Sequence, residues 1–232
     1  MNADAPEQAP IPWPGFAPHP SAAPAPLPVR SNSDPVIALT RAWLERAVIG
    51  LNLCPFARAV HVRGRIRWVV SAARDSDALL AELCDELDRL AAAGSGLSPP
   101  EGGEEPGPTP ATETTLLIHP WVLADFEDYN DFLAVAEAAV EQLGHGGVLQ
   151  VASFHPDYRF ADAEPDDPAH ATNRSPFPML HLLREDSIDR AVAAFPEPEL
   201  IYEANIRTLR RLGHGGWAAL QAQCLRDAAG EP

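Results

Sequence analysis

Residues Thr114–Phe154 read T-T-L-L-I-H-P-W-V-L-A-D-F-E-D-Y-N-D-F-L-A-V-A-E-A-A-V-E-Q-L-G-H-G-G-V-L-Q-V-A-S-F, and this stretch decides the fold. It opens on a short apolar run, Thr114–His119, that Pro120 stops; a run of that length with β-branched residues reads as a strand. Phe132, Ala136, Ala139, Val140 and Leu143 then recur at helical spacing, and Gly144 ends the helix. Val148–Phe154 follows as a second strand. Strand, helix, strand is the signature of a crossover connection between parallel strands.

The same unit precedes it. Ile66–Ala72 reads as a strand, and Asp75 or Ser76 caps a helix whose Leu80, Leu83, Cys84 and Leu87 face inward. The chain is thus β-α-β-α-β, with right-handed crossovers expected. Before it, Asp34 and Pro35 open a helix with Val36, Thr40, Trp43, Ala47, Val48 and Leu51 on one face. After it, Phe177–Arg184 reads as a fourth strand of unassigned direction. Asp186 then caps a helix with Asp189 at its third position, and a last helix runs from about Glu199 to Leu212, ended by Gly213. The expected fold is α/β: a single domain with a mainly parallel, four-stranded sheet covered by helices. L-G-H-G-G occurs at Leu143–Gly147 and Leu212–Gly216, and each copy reads as a helix stop rather than a repeat or a phosphate loop.

Composition sets the boundaries. Residues 1–34 are rich in Pro and Ala and read as a disordered tail. Residues 35–213 form the domain, 94–113 a flexible insertion within it, and 214–232 a C-terminal tail. The formal charge is -16 and every basic residue is Arg. That balance argues against nucleic acid, which needs a basic face to displace counterions, and against a polybasic membrane contact. No apolar run reaches the ~20 residues of a membrane span. The N-terminal residues lack the basic start and apolar stretch of a signal peptide. Cys54, Cys84 and Cys224 are odd in number and widely spaced, which fits free thiols in a reducing, cytoplasmic setting.

The candidate site gathers at the strand ends, because ligands of open parallel sheets bind beyond the carboxyl ends. His119 ends one strand and His155 follows the next, each before a proline. With His181 they are the candidate ligands of a divalent metal, the candidate cofactor. His155 and Asp157 are candidate catalytic groups. Cys54, in G-L-N-L-C-P-F-A-R (Gly50–Arg58), is a candidate nucleophile where Pro55 breaks a helix. The competing readings are plain: histidines that brace loop backbone, and a cysteine packed in a turn. Arg174 and Arg184 are candidate forks for an anionic substrate, with Asn173, Tyr158 and Asn52 as positioning groups. Arg174 has a rival role, pairing with Asp166 or Asp167 to pin the long loop.

W-L-E-R-A-V-I-G-L-N-L-C-P-F-A, V-A-S-F-H-P-D-Y, N-R-S-P-F-P-M-L-H-L-L-R-E and N-I-R-T-L-R-R-L-G together resemble the domain of unknown function 1415 family, over about residues 35–213. The resemblance implies a mainly bacterial, soluble protein and assigns no activity, cofactor or catalytic residue. Two functions follow from the residues themselves. One is a cytosolic small-molecule enzyme, running metal-assisted hydrolysis or lyase chemistry on an anionic substrate. The other is a non-catalytic binding or assembly protein whose His, Arg and Asp residues brace a long loop.

Overall fold

A computed structural model describes residues 34–94, 112–193 and 199–230; the expected N-terminal tail and nearly all of the expected insertion lie outside them. The described residues form six α-helices and four strands: α1 (Pro35–Trp43), α2 (Ala57–Val62), β1 (Ile66–Val70), α3 (Ser76–Gly94), β2 (Thr114–Ile118), α4 (Phe126–Gln142), β3 (Leu149–Phe154), β4 (Met179–Arg184), α5 (Glu185–Ala193) and α6 (Glu199–Ala229).

The sheet order is β1-β2-β4-β3. β1 and β2 pair in parallel, whereas β4 pairs antiparallel with both β2 and β3. The sheet is therefore mixed, which corrects the expected mainly parallel arrangement. The physical reason is that the chain stays at one edge after β3 and re-enters from that edge. β4 then fills the gap between two strands of common direction. An apolar run such as M-L-H-L-L-R satisfies either direction, so the sequence alone leaves it open.

Each face of the sheet has its own core. Trp68, Val70, Leu116, Ile118, Met179 and Phe154 pack with α1 and α6. Val69, Leu117, Leu180, Leu182, Leu149 and Val151 pack with α3 and α4. The inward face of α3 carries Leu79, Leu83, Leu87 and Leu90, while Leu80 and Cys84 are only half-buried. The expected Leu83 and Leu87 are fully buried, and Leu79 and Leu90 complete the stripe in place of Leu80 and Cys84. In α4, Phe132, Ala136, Ala139 and Val140 are buried as expected, and Phe126 and Tyr129 extend that stripe towards the N-terminus. The Asp125 carboxylate caps α4, accepting from the Glu127 N–H at 2.8 Å.

α1 starts where Asp34 and Pro35 predict: the Asp34 carboxylate accepts from the Val36 N–H at 2.9 Å. The helix then widens into a π-helical turn, Leu44–Ile49, and the Leu53 N–H reaches back to the Val48 carbonyl at 2.9 Å. Gly50 sits against this widened turn, where an added Cβ would overlap the Arg46 carbonyl oxygen. Gly50→Ala is expected to destabilise the protein by about 1–3 kcal/mol, read as a lower urea midpoint at unchanged slope.

Two helix starts and stops differ from expectation. α5 begins at Glu185 directly from β4, its N–H bonded to the Val148 carbonyl at 3.0 Å, so Asp186 is not its cap. In α6, Gly213 takes the left-handed conformation (φ 67) as a helix stop would, as Gly144 does after α4 (φ 76). Yet the chain turns and continues helically through residues 214–229. That second segment buries Trp217 and Cys224 against α1.

Candidate functional site at the carboxyl edge of the sheet

β2 and β3 point to the same edge, with β4 between them. His119 and His155 leave those two strand ends, and both are fully buried. The gap between them is filled by the ring of Tyr129 from α4. It stacks on His119 (centroids 5.8 Å) and lies 5.0 Å from His155. The Tyr129 hydroxyl donates to the Met179 carbonyl and accepts from the Phe154 N–H, each at 2.9 Å. Met179 and Phe154 are the terminal register pair of β3 and β4, so this hydroxyl bridges the two strands where their ladder ends.

The two histidines are neutral and differ in what they leave open. His119 Nδ1 lies 3.0 Å from the Val122 carbonyl and must carry the proton to bond it. Its Nε2 is then a buried lone pair with no hydrogen-bond partner among the described residues. Burial lowers the His119 pKa to about 4. His155 is satisfied at both nitrogens. Nδ1 accepts from the Asp157 N–H at 3.0 Å, and Nε2 faces the Leu123 carbonyl at 3.3 Å. Burial lowers its pKa as well.

His181 does not join them. Its register, opposite Leu116 and Ala152, puts it on the other face of the sheet, and its Nε2 bonds Thr114 Oγ1 at 2.7 Å. The side chain keeps an exposed edge, but the protein packed around the ring lowers its pKa, to about 4. The three candidate metal ligands therefore do not converge. Of the two histidines at this edge only His119 offers a lone pair, and among the described residues no three His, Cys, Asp or Glu side chains are grouped to hold a metal. These residues do not fit the proposed metal site.

Cys54 packs half-buried against the core on the α1 and α6 face, away from His119 and His155. Asn52 is an exposed turn residue with φ 55, a conformation asparagine tolerates better than most. Arg184 sits at the far end of β4, beside the start of β3, and its guanidinium donates to the Leu90 carbonyl in α3. It caps a helix end at the opposite edge of the sheet and has no part in this site.

The loop from His155 to Phe177 builds the rest. It closes on His155 itself, whose N–H donates to the Asn173 carbonyl and whose carbonyl accepts from Ser175 and Tyr158. The Asn173 amide donates to the Ser153 carbonyl at 3.0 Å. A 3-10 turn, Pro168–Thr172, is capped by Asp167. His170, which the sequence reading passed over, is buried there. Its Nδ1 accepts from the Phe160 N–H at 3.1 Å and its Nε2 donates to the Glu164 carbonyl at 2.8 Å. Arg210 of α6 forks onto the Asp167 carboxylate at 2.5–3.2 Å and holds that carboxyl at a pKa of about 2.

Asp167 is thus taken by Arg210, and Arg174 makes no ion pair with it or with Asp166. Arg174 is half-buried, its Nε donates to the Tyr158 carbonyl at 3.2 Å, and its own carbonyl accepts from the Trp43 indole N–H at 2.9 Å. Burial lowers the guanidinium pKa, opposed by the nearby negative charge of exposed Asp157. Among the described residues no carboxylate lies within ion-pair distance of Arg174. The Tyr158 ring, half-buried, meets Phe126 and Phe160 edge-on at 5.3 and 5.1 Å.

A mixed α/β fold with an arginine and two buried neutral histidines at one sheet edge is the class these observations define. The chain belongs to the family described as Protein of unknown function (DUF1415), whose model matches residues 35–219. No curated protein and no solved structure matches it. No helix among the described residues is long and apolar enough to cross a membrane.

Proposed function

We propose that the carboxyl edge binds a small anionic molecule held by the Arg174 guanidinium. One observation carries this reading. In a chain with 33 acidic residues, Arg174 is desolvated yet has no carboxylate in ion-pair reach. A guanidinium in that state gains a charge-assisted, two-pronged contact when a carboxylate or phosphate arrives. The hydrogen bonds of His155, Asn173 and Asp167 brace the loop and so preset the position of Arg174. Bracing and binding are then parts of one arrangement.

Chemistry on the bound anion has less support. Cys54 is remote, His155 has no free lone pair, and a base with a conjugate acid near pH 4 is weak at neutral pH. The test is affinity for acetate, benzoate and inorganic phosphate, measured by calorimetry on the full chain. Binding that weakens at least about tenfold in Arg174→Met is the expected result. Equal affinity in the variant would sink the proposal.

A further inference from the structure

We infer that Arg159 is the second arm of this site, released from Glu127 when the ligand arrives, and that the ligand carries a phosphoryl group rather than a carboxylate. This rests on the Arg174 reading above and names the class of anion that site takes.

The first observation is reach. Arg174 Nε donates to the Tyr158 carbonyl at 3.2 Å, and Arg159 is the next residue across that peptide bond. A planar trans peptide holds its carbonyl oxygen about 3 Å from the following Cα, so Arg159 Cα lies within about 6 Å of Arg174 Nε. An extended arginine carries its guanidinium about 6–7 Å from its Cα, so the two heads can meet on one anion. The two charges already feel each other. Burial lowers the Arg174 pKa, nearby Asp157 opposes this, and the positive charge of Arg159 lowers it again.

The second observation is what holds Arg159 in the free protein. Its guanidinium donates to the Glu127 carboxylate in the first turn of α4 at 2.7 Å and stands over the Phe126 ring at 5.3 Å. The two paired side chains are 50% and 72% exposed. Water and salt screen such a pair, so it exchanges readily for a better partner. Arg210, forked onto the buried Asp167 carboxylate, has no such freedom.

The class of ligand follows from having two forks. Two guanidinium groups repel unless negative charge lies between them. A carboxylate has two oxygens in one plane, and a single fork takes both. A phosphoryl group presents three oxygens at tetrahedral angles and up to two negative charges, so each arginine gains its own charge-assisted contact. Glu127 then competes with the ligand for Arg159.

Calorimetric titration of the full chain with acetate, inorganic phosphate and methyl phosphate at pH 7.5 tests this. The phosphoryl ligands are expected to bind at least about fivefold tighter than acetate. Which of the two binds tighter tells a free ion from an ester, and either order supports the inference. Arg159→Gln should weaken phosphoryl binding about three- to tenfold and leave acetate within about twofold. Glu127→Gln should strengthen phosphoryl binding about two- to fivefold, because the competitor is gone. Both side chains are exposed, so neither change disturbs the core. If acetate binds tightest, or if Arg159→Gln leaves phosphoryl affinity unchanged, this inference fails while the Arg174 reading stands. If none of the three binds, or all bind undiminished in Arg174→Met, the Arg174 reading itself fails, and this inference with it.

Discussion

Lowering the pH from 7 to 4.5 is expected to remove about 2 kcal/mol of folding stability through His119 alone. The ring is fully buried, and its pKa falls from 6.5 in a solvated chain to about 4 in the folded protein. The folded value lies below the unfolded one, so the unfolded chain binds the extra proton. The contribution is present in full above pH 6.5 and is lost progressively as pH falls towards 4. His155 and His181 shift in the same direction and add to the slope. Protonating His155 would also turn Nδ1 from an acceptor into a donor facing the Asp157 N–H. Urea midpoints at pH 7.5, 6.0, 5.0 and 4.5 measure the effect. His119→Asn keeps a donor for the Val122 carbonyl and removes the titration, so it should flatten the curve visibly. A stability constant between pH 7 and 5 would contradict the buried, neutral state of these rings.

Tyr129→Phe is expected to cost about 2 kcal/mol, and Tyr129→Ala about 4 kcal/mol. The smaller change deletes one hydroxyl, but that hydroxyl serves two buried backbone groups, the Phe154 N–H and the Met179 carbonyl. A buried polar group left without its partner carries its desolvation cost. The larger change also removes the ring that separates His119 from His155. For a chain of this size the Phe variant should melt roughly 4–8 °C lower. An unchanged melting temperature would show that water or a shifted backbone replaces the hydroxyl.

The elements themselves were legible because their periods are strong. Thr114–Ile118 is buried at every position, as a central strand flanked on both faces must be. Phe132, Ala136 and Val140 mark the inward stripe of α4, and Tyr129 falls three residues before Phe132 on that same stripe, so its burial could have been read from the spacing. What spacing cannot carry is partnership across the sheet. The register of β4 decides that His181 faces away from His119, and nothing in M-L-H-L-L-R specifies it. The Asp167–Arg210 pair spans 43 residues between a loop and a helix, and it takes the carboxylate that the sequence offered to Arg174. Trp43 was placed on the core face of the first helix, where it is buried. Its hydrogen bond to the Arg174 carbonyl, 131 residues away, depends on tertiary packing that no local pattern encodes.

The most direct test of the central claim is the side-chain Nε–H signal of Arg174 in arginine-labelled protein, followed by nuclear magnetic resonance as benzoate is added. Assignment comes from the one signal missing in Arg174→Met. A saturable shift of that signal, larger than any other arginine's, is the predicted result. A signal that stays fixed while benzoate binds elsewhere, or binding undiminished in the variant, would contradict the assignment of this edge as an anion site.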